Sequence, residues 1–181
     1  MIDLRYKSNH TTMPIVKTVN NKKPAAGHDC WFADNSVIIG DVKLGRNCTL
    51  WFNTIIRGDV NSIVIGNNTN IQDGVIVHGT YEKAKVVIGS NVSIGHNAVI
   101  HGCTIEDNVL IGMGAVVMDN AVIKSGSVVG AGSVVLENTI IESSSVFAGN
   151  PAKKIRDAGQ KEIEVIMKTA KNYIKYADWY K

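Results

Sequence analysis

The sequence predicts an all-β solenoid, a parallel β-helix of hexapeptide repeats closed by a C-terminal α-helix. Three observations lead there. An aliphatic residue recurs every six positions between Phe32 and Phe147, a small or β-branched residue follows four places after it, and the spacing turns helical near the end. Self-similarity on this scale is the mark of stacked structural repeats.

The repeat can be followed residue by residue. Phe32, Ile38, Leu44, Leu50 and Ile56 fall in step, followed by Ile65, Ile71 and Val77, then Ile88, Ile94 and Ile100. The last run is Ile105, Ile111, Val117, Ile123, Val129, Val135, Ile141 and Phe147. Ser36, Val42, Cys48, Thr54, Ala98, Ala115 and Ser127 are among the small residues at the fifth position. A helix needs apolar spacings of three and four, which this stretch lacks. Three short strands make a triangular coil of about 18 residues, with the first position of each unit inside and its neighbours outside. Stacked coils repeat at about 4.8 Å, and residues 32–151 supply between six and seven of them. Crossover rules alone favour the right hand.

Residues 1–24 form an N-terminal extension and entry segment, 25–152 the β-helix, and 153–181 a helix packed on it. In the last segment Ile163, Ile166, Ala170, Tyr173, Ile174 and Ala177 keep helical spacing, so one amphipathic helix is expected over about 157–179. Residues 1–12 are polar and patternless, which makes Met13 an alternative start to Met1.

With 181 residues, the chain can bury one sizeable core. Its 45% hydrophobic and 19% charged residues are ordinary for a soluble protein, while 17 Gly against 3 Pro suit repetitive turns. No apolar run approaches the roughly 18 residues of a membrane span, and the N-terminus lacks a signal-peptide core, so a cytoplasmic location is expected. The net charge of +3 divides into +4 over residues 1–24, +4 over 152–181 and −5 between. The basic end interleaves Lys with Glu and carries no nucleic-acid motif, so it reads as a solvated helix face. Cys30, Cys48 and Cys103 are odd in number and lack CxxC spacing, which argues against a disulfide framework or a zinc knuckle. Cys48 falls at an inward position. Cys103, two residues after His101, is either core or a metal or redox residue.

Breaks in the repeat carry the chemistry. Ile56 to Ile65 contains three extra residues, predicting a bulge near Asn61–Ser62, and Ile65 to Ile88 contains five, predicting a loop around Gly79–Lys85. Counting through these breaks places Ile56, Val77 and Ile100 on one face of successive coils. Each precedes an outward polar residue, so Arg57, His78 and His101 form a column. Ile71 and Ile94 occupy the preceding face, and Asp73 and His96 form a second column with Gln72 beside it. His78 and His101 stand about 5 Å apart along the backbone, close enough to share a zinc. His96 lies around a corner and cannot reach the same ion in its own chain, so if all three are ligands the third comes from a neighbouring subunit. Such a head-to-tail contact closes into a ring, and a triangular prism suggests a homotrimer. Three His and an open position make the catalytic arrangement of zinc, although Fe2+ or Co2+ suits the same ligands.

The motifs Arg57-Gly-Asp59, Asn70-Ile-Gln72-Asp73, His78, Ser93-Ile-Gly-His96 and His101-Gly-Cys-Thr-Ile resemble the γ-class carbonic anhydrase family. The ending Ala148-Gly-Asn-Pro-Ala-Lys-Lys-Ile-Arg156 and Asn172-Tyr173 resemble its short bacterial members. The likeness covers about residues 24–181. It implies a left-handed β-helix and a homotrimer with three intersubunit zinc sites, His78 and His101 coming from one subunit and His96 from the next. The implied reaction is reversible hydration of CO2 to bicarbonate by a zinc-bound hydroxide. Gln72, with Asn70 nearby, would orient that hydroxide or its product. Arg57 and Asp59 would pair across the interface, and Asp73 would support Arg57 or a neighbouring backbone. The sequence departs from the family at its proton-shuttling glutamates: Val60 follows Asp59, and the short loop offers Glu82 and Tyr81 among Lys83 and Lys85. Turnover needs proton export, so a missing shuttle points to a slow or inactive enzyme. Two alternatives stand beside this reading. One is a CoA-dependent hexapeptide acyltransferase, since fold does not fix function; the other is a zinc-retaining scaffold subunit.

Overall fold

In the computed structural model, which describes residues 13–181, the chain winds into a parallel β-solenoid of about seven turns with a C-terminal helix along its side. The choice between Met1 and Met13 falls on residues outside those described.

Three inward stacks form the core. The first face carries Ile38, Ile56, Val77, Ile100, Val117 and Val135 in register. The second carries Leu44, Ile65, Ile88, Ile105, Ile123 and Ile141. Phe32, Leu50, Ile71, Ile94, Ile111, Val129 and Phe147 fill the third. These are the first positions of the predicted units, and nearly all are buried. Each such side chain contributes roughly 1.5–3 kcal/mol by leaving water, so the stack itself is the main stabilising element. The long strand Ile55–Ile65 turns a corner and joins the first two faces into one 12-stranded sheet, while eight strands form the third.

Both register breaks take the expected places. Gly58 pairs with Gly40 but Ile63 pairs with Val42, so the extra residues lie at 59–62. The longer insertion closes on itself through a bridge between Thr80 and Ala84. One corner has a feature that the aliphatic repeat does not announce. Asn47, Asn68, Asn91 and Asn108 all adopt φ between 54° and 58°. Their amides form a ladder, Asn47 to Asn68 at 3.0 Å, Asn68 to Asn91 at 3.1 Å and Asn91 to Asn108 at 3.0 Å. Asn tolerates the left-handed conformation that the corner demands, and the ladder satisfies its amides.

The two terminal segments differ from expectation. Ile15–Lys17, within the predicted entry segment, pairs with Val37–Ile39 as an edge strand. Ala152–Asp157, expected to lead into the helix, is instead a strand antiparallel to Ser145–Gly149. The last coil leaves an open edge, and this segment covers part of it. Helix α1 therefore begins later, at Gln160, and runs to Ala177 before a short 3-10 turn over Asp178–Tyr180. Gly159 precedes it, its N–H donating to the Glu162 carboxylate at 2.8 Å. Ile166, Ala170 and Ala177 bury the apolar stripe of α1 against the third face. Among the described residues, no helix is long and apolar enough to cross a membrane.

Candidate metal centre

Strand pairing aligns Arg57, His78 and His101 on the outside of the first face. His78 Nδ1 and His101 Nε2 face each other at 3.2 Å. Two nitrogens bound to one tetrahedral zinc, each about 2.0–2.1 Å from it, lie about 3.3 Å apart. The facing pair therefore fits a metal with little adjustment of either ring.

The outer nitrogen of each ring is held by a carboxylate. His78 Nε2 lies 3.1 Å from Asp59 Oδ1, and Arg57 donates to Asp59 Oδ2 at 2.7 Å. Burial pushes His78 below its ordinary pKa and the neighbouring Arg57 charge adds to it, which favours the neutral, ligating imidazole. Asp59 stays ionised: burial works against it, but hydrogen bonds from Arg57 and His78 lower its pKa overall. The Arg57–Asp59 pair, expected across a subunit interface, closes within one chain.

His101 Nδ1 rests on Asp119 Oδ1 at 2.5 Å, and Thr80 donates to the other oxygen of Asp119. Asp119 is a site residue that sequence reading missed. Its signal was present, because Val117 continues the Ile56–Val77–Ile100 stack and Asp119 follows two places later. Gly102 makes the approach possible: a Cβ there would stand 2.3 Å from Asp119 Oδ1. Carboxylates behind metal-binding histidines fix ring orientation and basicity. Asp119→Asn is expected to weaken metal binding by about 10–100-fold with little loss of fold, as read by competition with a chelating dye.

His96 occupies the corner after the third face. Its Nδ1 pairs with Asp73 Oδ2 at 2.9 Å, and Asp73 Oδ1 also accepts from the Phe52 N–H at 3.3 Å. Asp73 thus supports a neighbouring backbone, as expected, but braces His96 rather than Arg57. Gln72 Oε1 accepts from the His96 N–H at 3.2 Å, Gln72 Nε2 donates to Asn70 Oδ1 at 3.0 Å, and Asn70 donates to Ser93 Oγ at 2.7 Å. This buried amide chain fixes the corner that carries His96. The other ring nitrogen of His96, Nε2, meets the Tyr173 hydroxyl of α1 at 3.4 Å. Burial, with the Asp73 charge behind it, pushes that phenol up to about 12, so it stays protonated. Among the described residues, no three His, Cys, Asp or Glu side chains converge in a way that could hold a metal, and His96 stands apart from the His78–His101 pair. Cys103 is 1% exposed and burial pushes its thiol up to about 12, making it an inert core residue.

A groove of about 480 Å³ opens beside His96, lined by Gln72, Leu110, Ile111, Met113, Val128 and Tyr173 among others. Its walls are mostly aliphatic, suited to a small apolar molecule.

The family model for bacterial transferase hexapeptide (six repeats) matches residues 102–137. Gamma carbonic anhydrase 2, mitochondrial, of Arabidopsis thaliana is 44% identical over 175 residues, covering 94% of this chain and 62% of that protein. The carbonic anhydrase of Geobacillus kaustophilus is 49% identical over 57 residues, covering 32% of this chain and 31% of that one. The aligned regions therefore span less than two thirds of the curated relatives' own lengths. Two solved structures are matched over nearly their whole length. A hexapeptide transferase family protein from Anaplasma phagocytophilum is 39% identical with a TM-score of 0.88, covering 92% of this chain and 98% of that one. A Bacillus cereus chain provisionally described as an acetyltransferase is 32% identical with a TM-score of 0.89, covering 93% and 97%. Together with the hexapeptide solenoid, these relatives show that the chain belongs to the γ-class carbonic anhydrase family of hexapeptide-repeat proteins.

Proposed function

We propose that this chain is a metal-dependent carbonic anhydrase that hydrates CO2 reversibly at sites shared between the subunits of a homotrimer. The observation that carries this reading is the facing pair His78 and His101, 3.2 Å apart and each braced by a carboxylate. His78 and His101 of one subunit and His96 of the next would hold zinc, or iron or cobalt in its place. A bound zinc supplies Lewis acidity that lowers the pKa of water to about 7.

The chain's own residues do the rest. Asp59, Asp119 and Asp73 keep each ring in one orientation, with its second nitrogen turned away from the carboxylate. Gln72 and Asn70 form a polar wall at the corner, and the mostly aliphatic groove beside His96 gives CO2 a surface to rest on. An interface on the first face is supported by its outward residues. Ile55, Ile76, Val99, Val116 and Val134 form an aliphatic column where a solvated solenoid face would be polar, and Ile76 is 41% exposed in the single chain.

Val60 offers no titrating group beside Asp59, so proton export is expected to limit turnover. Stopped-flow CO2 hydration with metal-loaded protein should exceed the uncatalysed rate and rise with imidazole buffer concentration, because an external base then carries the proton. Hydration indistinguishable from buffer on fully loaded trimer would favour the scaffold reading. The transferase names of the matched structures keep a second reading in view. Acetylation of an amine or hydroxyl acceptor from acetyl-CoA by chelator-treated protein would favour it over the lyase.

A further inference from the structure

Cys30 and Cys48 lie one coil apart at the same corner of the prism. Their neighbours Trp31 and Thr49 are register partners, and the Trp31 N–H donates to the Cys48 carbonyl at 2.9 Å. Stacked backbones about 5 Å apart fall within the roughly 4.4–6.8 Å Cα separation of a disulfide. The Cys30 S–H donates to the Gly45 carbonyl at 3.1 Å, and the Cys48 S–H to that of Gly66 at 3.0 Å, so the two side chains stack one above the other in the same orientation. Cys48 is fully buried, whereas Cys30 is only partly so, on the strand Trp31–Phe32 side where the eight-stranded sheet ends. Cys30 is thus the more accessible of the two, and Cys48 lies one coil behind it.

We propose that Cys30 and Cys48 form a reversible redox site, oxidised by hydroperoxides, in which Cys30 is the attacking thiol and Cys48 the resolving one. The neighbouring Cys48 side chain draws the Cys30 thiol down to about 7 against the opposing effect of burial. Cys48 is pushed far up, first by the neighbouring Cys30 and then by burial. The pair therefore enters the reaction as one thiolate and one thiol. The Cys30 thiolate attacks the peroxide, the O–O bond breaks, and the departing alkoxide or hydroxide takes a proton. Cys30 becomes a sulfenic acid. The Cys48 thiol then loses its proton and attacks the Cys30 sulfur, forming the S–S bond and expelling water. Two electrons pass from the sulfurs to the peroxide. The new bond ties the first coil to the second beside Trp31, whose ring packs on Trp51 at 4.9 Å and on Tyr180 at 5.3 Å. Oxidation would thereby fasten the end of the prism to which the C-terminal aromatic residues are docked.

The test uses the intact protein treated with hydrogen peroxide, quenched in acid, alkylated while unfolded, and weighed. Three alkylated cysteines should fall to one, on Cys103, with a linked peptide joining Cys30 to Cys48, and dithiothreitol should restore all three. In Cys48→Ser, a dimedone adduct should form at Cys30; in Cys30→Ser, both remaining thiols should survive the same dose. The proposal is overturned if the wild-type protein keeps three thiols, if Cys30 passes to sulfinic acid without linking, or if Cys48 oxidises equally fast in Cys30→Ser.

Discussion

Replacing His96 with Ala is expected to abolish stoichiometric metal binding and CO2 hydration while leaving the solenoid intact. The side chain is 39% exposed at a corner and contributes nothing to the inward stacks, so the cost in stability should stay within about 0.5 kcal/mol. The loss of metal should be far larger. In the proposed site, removing one of three ligands takes away a bond to the ion itself, so the effect should exceed the roughly 100-fold attached to loss of a supporting carboxylate. His78→Ala should behave alike in metal content, although the two positions sit on different columns. Circular dichroism melting with elemental analysis separates the effects: unchanged melting and absent metal are expected, and full metal retention would contradict the assignment.

Gly40→Ala is expected to carry the largest cost in stability of any single methyl added to the solenoid. Gly40 has φ +75°, and a Cβ there would stand 2.3 Å from the Gly58 carbonyl oxygen. That oxygen belongs to the backbone between Arg57 and Asp59, which cannot swing aside as a side-chain tip would. The strain of the left-handed conformation adds to the clash, and together they should cost about 3 kcal/mol or more. The displaced strand carries Asp59 with it, so metal affinity should fall as well. Gly114→Ala provides the control: its φ of +66° is similar but its Cβ would meet nothing within 4 Å. It should cost only about 1–2 kcal/mol of backbone strain. Equal losses on denaturant unfolding would show that the Gly40–Gly58 contact is not the cause.

The solenoid and both histidine columns were legible because a six-residue period converts sequence distance directly into position. His78 and His101 could be placed as neighbours from the inward residues Val77 and Ile100 alone. What the sequence left hidden depended on partners rather than period. Asp119 belongs to the next coil, and its reach to His101 depends on the missing Cβ of Gly102. The Arg57–Asp59 pair is an intrachain contact because Asp59 sits in the bulge opened by the three extra residues. Asp73 braces His96 because the two share a column, a conclusion the counting already allowed. Ala152–Asp157 became a strand because the last coil had an edge to pair, which no property of Lys153 or Ile155 announces. Tyr173 lies beside His96 only because α1 docks on the third face.

The central claim is that the site is completed between subunits, and one mixing experiment tests it most directly. His78→Ala and His96→Ala proteins are unfolded, combined in equal amounts, refolded with zinc and analysed for metal and native mass. In a cyclic trimer containing both variants, one of the three junctions joins an intact His78–His101 pair to an intact His96. About three quarters of randomly assembled trimers are mixed, so the mixture should regain about a quarter of the wild-type metal, one ion in each mixed trimer and none in the unmixed ones. A mixture that regains no metal, or metal found in trimers of a single variant, would contradict the account.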